Sequence, residues 1–255
     1  VFISVDPNLV RTNGTVNATD SIVPSIQFDL GKSQIYKNDA AVLNIIAANK
    51  WKRPIYFTND RVGLGFDNYL RQDGLTYRLV PVANSEVNRD WVFDKMMNKF
   101  AFGNCDKPGV FYDEENRRHL NTIRLSFAEV ASNLADAGRK EDAKKILERC
   151  DKNLLEVNFP YGMASRYQQH NYISLQFLEA AYKAGDLALA EKVNKSVKKD
   201  LEQQINFFSN LSENKQEALR SDSDQAASFL RAMQQIEMQY KNPPPVQAAD
   251  SGKIK

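Results

Sequence analysis

Seven side chains between positions 51 and 78 are of the types that recognise sugars. Trp51, Arg53 and Tyr56 fall in WKRPIYF (51–57). Asp67, Tyr69, Tyr77 and Arg78 fall in FDNYLRQDGLTYRLVPV (66–82). An indole or phenol face can stack on a pyranose ring, while Arg and Asp hydrogen-bond its hydroxyls. These residues form the candidate ligand-binding set. The same types also build folds. With Trp51 and Tyr56 packed inside, and Arg53 or Arg78 paired to Asp67 or Asp73, the cluster would fix structure and bind nothing.

Other reaction chemistries find less support. The chain has no GxSxG, P-loop or GxGxxG motif. Gly63–Gly65 (GLG) reads as a turn. Asp113, Glu114 and Glu115, beside Arg117 and Arg118, read as a helix N-terminus with local ion pairs. His119 and His170 lack an HExxH frame or neighbouring ligands at metal spacing, so each reads as a structural or surface residue. Cys105 and Cys150 form no CxxC, and two separate buried thiols fit them better than one disulfide. No catalytic, metal-binding or cofactor-binding residue is therefore expected.

The composition sets the frame for these side chains. A chain of 255 residues, 42% hydrophobic and 26% charged, is long enough for one large domain or two small ones. Stretches such as Ala40–Ala48 fall far short of the roughly 20 apolar residues of a spanning helix. The net charge is +2, and both halves are nearly balanced. The densest basic run, Lys195–Lys199 (KSVKK), is followed by Asp200 and Glu202 and reads as a solvated helix face. No basic stripe points to nucleic acid. The chain opens on Val1 with no signal-peptide pattern behind it, so it reads as a processed product or a piece of a longer protein.

The pattern predicts an α+β fold, with a change of character near Gly109–Asp113. Residues 1–112 hold 15 of the 26 aromatics and most turn formers. Within them, residues 6–24 read as loop. Ser25–Leu30 alternates as a strand does. Asn38 or Asp39 caps a helix through Asn49. Ile55–Thr58 is a strand, Phe66–Arg71 a helical turn and Asp73-Gly74 a turn. Leu75–Val82 is a strand whose Pro81 marks an end or an edge. A helix runs from Asn88 or Asp90 through Lys99. Residues 113–240 then read as helix after helix, and 241–255 (KNPPPVQAADSGKIK) as a flexible tail.

An internal repeat organises the helical part. ADAGRKEDAKKIL (135–147) aligns without a gap to YKAGDLALAEKVN (182–194), pairing Gly138 with Gly185 and Ala143 with Ala190. Glycine permits a left-handed turn between antiparallel helices, and a small residue five positions on lets the second helix approach the first. This resembles the tetratricopeptide repeat, an α-solenoid helix pair. The offset of 47 residues exceeds the family's, and Asn158–Arg166 (NFPYGMASR) lies in the excess. A final helix, about Ser223–Tyr240, points Phe229, Leu230, Met233, Ile236 and Tyr240 inward and caps the stack.

Longer strings carry a second resemblance. AVLNIIAANKWKRPIYFT (41–58), YLRQDGLTYRLVPV (69–82), MNKFAFGN (97–104) and YDEENRRHLNTIRLSFAEVASNLADAG (112–138) resemble the soluble C-terminal region of a bacterial multi-pass membrane family of unknown function. That family is related to protein O-mannosyltransferases of the GT-C type. The resemblance spans about residues 25–210 and implies a parent whose membrane-embedded N-terminal half carries the catalytic acid. It implies a periplasmic location for the region seen here. It also implies a non-catalytic accessory role, in which the hairpins present a groove to a polypeptide acceptor or partner. The carbohydrate-binding or autonomous carbohydrate-active reading of residues 51–78 stands as the alternative.

Overall fold

The computed structural model describes residues 1–84 and 87–241. It is an α+β protein, and it divides into two compact units, Val1–Phe100 and one that begins at Ala101.

In the first unit, β1 (Phe2–Ser4) pairs antiparallel with β2 (Ser25–Gln27), Ile3 opposite Ile26. Between them the stretch expected to be loop contains a short helix, α1 (Pro7–Thr12). Asp6 caps it by accepting from the amides of Asn8 and Leu9 at 3.0 and 3.1 Å, and Pro7 opens it. The next helix, α2 (Lys37–Asn49), is closed by two consecutive left-handed residues, Lys50 and Trp51. Its Asp39 reaches back to the Tyr36 amide at 3.1 Å and also binds Lys32 at 2.9 Å.

A three-stranded antiparallel sheet follows, ordered β3 (Tyr56–Phe57), β5 (Thr76–Leu79), β4 (Leu70–Asp73). The helical turn expected at Phe66–Arg71 shortens to a 3-10 turn over Asp67–Tyr69. The chain then enters β4, a strand the sequence reading missed. Alternation cannot reveal it, because Leu70, Arg71, Gln72 and Asp73 are all buried. The β4–β5 hairpin turns on Gly74, whose φ of 74° suits the first central position of a two-residue loop. The core gathers Ile26, Phe28, Ile46, Leu64, Phe66, Leu70 and Leu79. Phe66 meets Phe28 edge-on at 5.4 Å and Phe57 at 5.5 Å. The last helix of this unit is α3 (Arg89–Asn98), which buries Val92 and Met96.

The second unit is helical. Residues 101–112, grouped above with the aromatic-rich part, pack with its helices: Phe102 meets Phe127 at 5.6 Å, and Cys105 is buried. Helix α4 (Glu114–Asp136) starts on Asp113, which accepts from the Asn116 amide at 2.8 Å. Gly138, at φ 81°, turns it into α5 (Lys140–Asn153). Gly185, at φ 76°, joins α6 (Gln169–Ala184) to α7 (Leu187–Ser209). Ala143 and Ala190 are fully buried, as close helix approach requires. The two hairpins lie side by side, with α6 against both α4 and α5.

Two further helices complete the described chain. The short α8 (Glu213–Ala218) precedes α9 (Arg220–Lys241), which lies on α7 and α6. Of the residues expected to face inward from α9, Met233 is buried, while Phe229, Leu230, Ile236 and Tyr240 are half-buried. Tyr240 stacks flat on Tyr182 at 5.4 Å. The expected tail beyond Lys241 lies outside the described residues.

Candidate functional site

The seven candidate side chains take separate places within the first unit. Trp51 is half-buried, its ring against the core and its indole N–H donating to the Ser4 carbonyl at 2.8 Å. With Ile46, Ile55 and Leu79 it lines an apolar cavity of about 10 Å³, room for one water at most. Arg53 is exposed at the edge of that cavity, and its backbone is fastened on both sides by the Asn49 amide at 3.0 Å. Tyr69 and Tyr77 pack at the core margin. Asp67 accepts from the amides of Val62 and Gly63 at 2.9 and 3.3 Å, so it organises the GLG turn.

Tyr56 and Arg78 are the pair that the fold brings together. They face each other across β3 and β5, and the guanidinium lies 5.7 Å from the ring centroid. Tyr56 is 45% exposed. Arg78 donates to the Gly14 carbonyl at 2.9 Å and approaches Asp73 at 4.0 Å. A phenol face with a guanidinium above it can engage a flat or hydroxylated ligand.

Behind this pair sits a buried ionic network. Arg71, 1% exposed, binds Asp20 at 3.0 Å, Asp73 at 3.4 Å and the Thr15 carbonyl at 3.4 Å. Asp20 in turn accepts from the Asn17 amide at 2.6 Å. Burial pushes the Asp73 carboxyl up, and the charges of Arg71 and Arg78 oppose that shift. The network ties the turn after α1 to β4 and β5. Of the pairings envisaged from the sequence, Arg53 or Arg78 with Asp67 or Asp73, the structure makes Arg78 with Asp73, and Arg71 joins it there.

A second buried cation stands in the helical unit. Arg124 of α4 is 1% exposed, and its guanidinium is sandwiched between Phe159 and Tyr161, 4.2 and 4.5 Å from their centroids. It donates to the carbonyls of Phe159 and Pro160 at 2.7 and 3.0 Å. His170 is fully buried beside it, with Nε2 2.7 Å from the Pro160 carbonyl. That contact requires the Nε2–H tautomer. Burial first, and the Arg124 charge second, push the His170 imidazole down to about 3. Tyr161 donates to Asp151 at 2.8 Å, and Asp151 also binds Lys192 at 2.6 Å. These contacts clamp the connection between the two hairpins.

Neither cluster assembles a nucleophile with a base. Burial holds the Cys150 thiol up at about 12, and both cysteines are free and buried. His119 is exposed and lies 3.4 Å from Glu115. Among the described residues no three His, Cys, Asp or Glu gather as a metal site would need, and no helix is long and apolar enough to cross a membrane.

The first unit has a known counterpart. Residues 1–99 match the family model for TMEM260-associated domain 2. The matched segment corresponds to the compact unit Val1–Phe100, so the aromatic cluster, the Tyr56–Arg78 pair and the Arg71 network all fall within it. No curated protein matches the chain, and neither does any solved structure.

Proposed function

We propose that this chain is a non-catalytic accessory region of a membrane-bound, O-mannosyltransferase-like glycosyltransferase, serving acceptor recognition or protein interaction. The match of residues 1–99 to TMEM260-associated domain 2 carries the reading. Its context comes from the resemblance of residues 25–210 to a membrane family related to GT-C enzymes. In this reading the partner of the chain is the membrane-embedded N-terminal half of the parent, and the region works on the periplasmic side. The side-by-side hairpins α4–α5 and α6–α7 are tetratricopeptide-like and hold a polypeptide, as stacked helix pairs do.

The test is sugar transfer to a polypeptide acceptor by the parent in membranes, with and without residues 101–241. Excision is expected to raise the acceptor KM at least tenfold and to leave kcat within a few-fold. The isolated chain is expected to transfer nothing. An unchanged KM, or turnover by the isolated chain, would sink the reading.

A second reading, carbohydrate binding by the first unit, draws on the exposed Tyr56 ring beneath Arg78, with Arg53 three positions before it in the chain. Calorimetric titration with mannose-type glycans decides it. Saturable heat that disappears in Tyr56→Ala is expected if it holds, and no heat in the unaltered chain removes it.

A further inference from the structure

The lysines of the basic run on α7 are exposed, as expected of a solvated face, but the acids that follow the run answer only part of its charge. Asp200 stands beside it with one carboxylate oxygen engaged, accepting from Asn171 at 2.8 Å and Gln204 at 2.7 Å. Glu202 is taken up by Lys198 at 3.8 Å. Lys195 and Lys199 are therefore left without a carboxylate partner among the described residues. They stand four residues apart, one helical turn, so their ammonium groups share one face.

That face is one wall of a cleft of about 550 Å³, whose lining also includes Lys192, Ser196, Glu156 and Asp200. The connection between the hairpins closes it at Gly162. A Cβ there would lie 2.3 Å from the Ser196 carbonyl oxygen, so only glycine permits this crossing. The Gly162 amide donates to the Ser196 hydroxyl oxygen at 3.1 Å, and the hydroxyl proton has no acceptor among the described residues. Lys192 is already held by Asp151 at 2.6 Å. The cleft thus offers two uncommitted ammonium groups and a hydroxyl donor, with two carboxylates as acceptors: Glu156, and Asp200, which is engaged through one oxygen by Asn171 and Gln204.

We infer that this cleft binds a phosphate ester carried on a hydroxyl-bearing body, such as a phosphorylated sugar or polyol. Lys195, Lys199 and Ser196 hold the phosphoryl oxygens, and Glu156 accepts from a hydroxyl of the body. The volume is several times that of a phosphate ion alone. The carboxylates of Glu156 and Asp200 would repel a bare anion, and the free Glu156 rewards one that brings a donor. The inference stands independently of the accessory role proposed above.

The test is titration of the full chain with glucose 6-phosphate at low ionic strength, following the amide resonances of Gly162 and Ser196. Saturable shifts are expected, with inorganic phosphate at least fivefold weaker and glucose silent. Added salt should weaken binding, since the lysines are exposed. Both lysines point to solvent, so Lys195→Met/Lys199→Met should fold normally and lose binding at least tenfold. Glu156→Gln should bring glucose 6-phosphate and inorganic phosphate to similar affinities. Vesicles of phosphatidylcholine with phosphatidylinositol 4-phosphate distinguish the source. Retention that glucose 6-phosphate releases means that the same cleft takes the ester from a lipid headgroup. Absent shifts, shifts indifferent to the lysine pair, or tighter binding of poly-glutamate than of any ester would overturn the inference.

Discussion

His170 and Arg124 are two side chains whose chemistry is changed by burial. The imidazole is held near 3 in the fold and returns to about 6.5 on unfolding. Below pH 6.5 the unfolded chain therefore takes up a proton that the native chain refuses. Stability is lost as pH falls from 6.5 toward 3, by about 1.4 kcal/mol per pH unit, and is unaffected by this group below that window. His170→Gln can keep the donor to Pro160, and it should lose about 2 kcal/mol less than the parent between pH 7 and 5 in urea titrations. An equal loss in both would remove His170 as the cause. Arg124→Met would leave the carbonyls of Phe159 and Pro160 without their guanidinium donors. It should cost about 3 kcal/mol at pH 7, with amide shifts concentrated in residues 156–166. A loss below about 1 kcal/mol would mean that the clamp contributes little.

At this scale the sequence was half legible. Leu120, Phe127 and Leu134 announce the buried face of α4 by their spacing, and they are buried. Position 124 lies on that same face, four residues after Leu120 and three before Phe127. Its burial is readable from periodicity, but an arginine there argues the opposite, because the Phe159 ring and carbonyl that receive it lie 35 positions away. Tyr56 and Arg78 meet through strand register, and 22 positions of separation conceal that from any local pattern.

Glycine positions carry the argument for whole elements. Gly138 and Gly185 combine positive φ with open space around the missing Cβ. Alanine at either should cost about 1 kcal/mol, the conformational penalty alone. Gly65 differs. Its φ is 97°, and a Cβ would fall 2.0 Å from the Asp29 carbonyl oxygen. Gly65→Ala should cost at least about 3 kcal/mol, because backbone must move as well. Thermal midpoints of the three variants test the order, and a Gly65 variant no worse than the other two would contradict it.

The repeat alignment found the two glycine hinges because glycine, alanine and helical periodicity are local signals. The strands were harder. β4 reads LRQD, and its polar residues are buried in an ionic network with Asp20, some 50 positions away. α1 is a single capped helical segment, visible in Asp6-Pro7 but too short for a periodic face.

The whole molecule consists of two compact units, and each has its own buried side chains. Residues 101–241 are expected to fold alone, giving a helical circular dichroism spectrum and a single cooperative urea transition. A broad, non-cooperative transition would show that the helices need residues 1–100. The change of character along the chain was legible from aromatic and turn-former density. The place where packing changes partners was not, since Phe102 and Cys105 look from composition like the end of the first unit and pack with the helices.

Both sulfhydryls of the chain belong to the second unit, where burial shields them and keeps them protonated. A native sample should consequently react with a thiol-specific dye only as fast as the helices open. Modification kinetics would then act as a clock for that half alone, while the half that contains the strands stays invisible to the reagent.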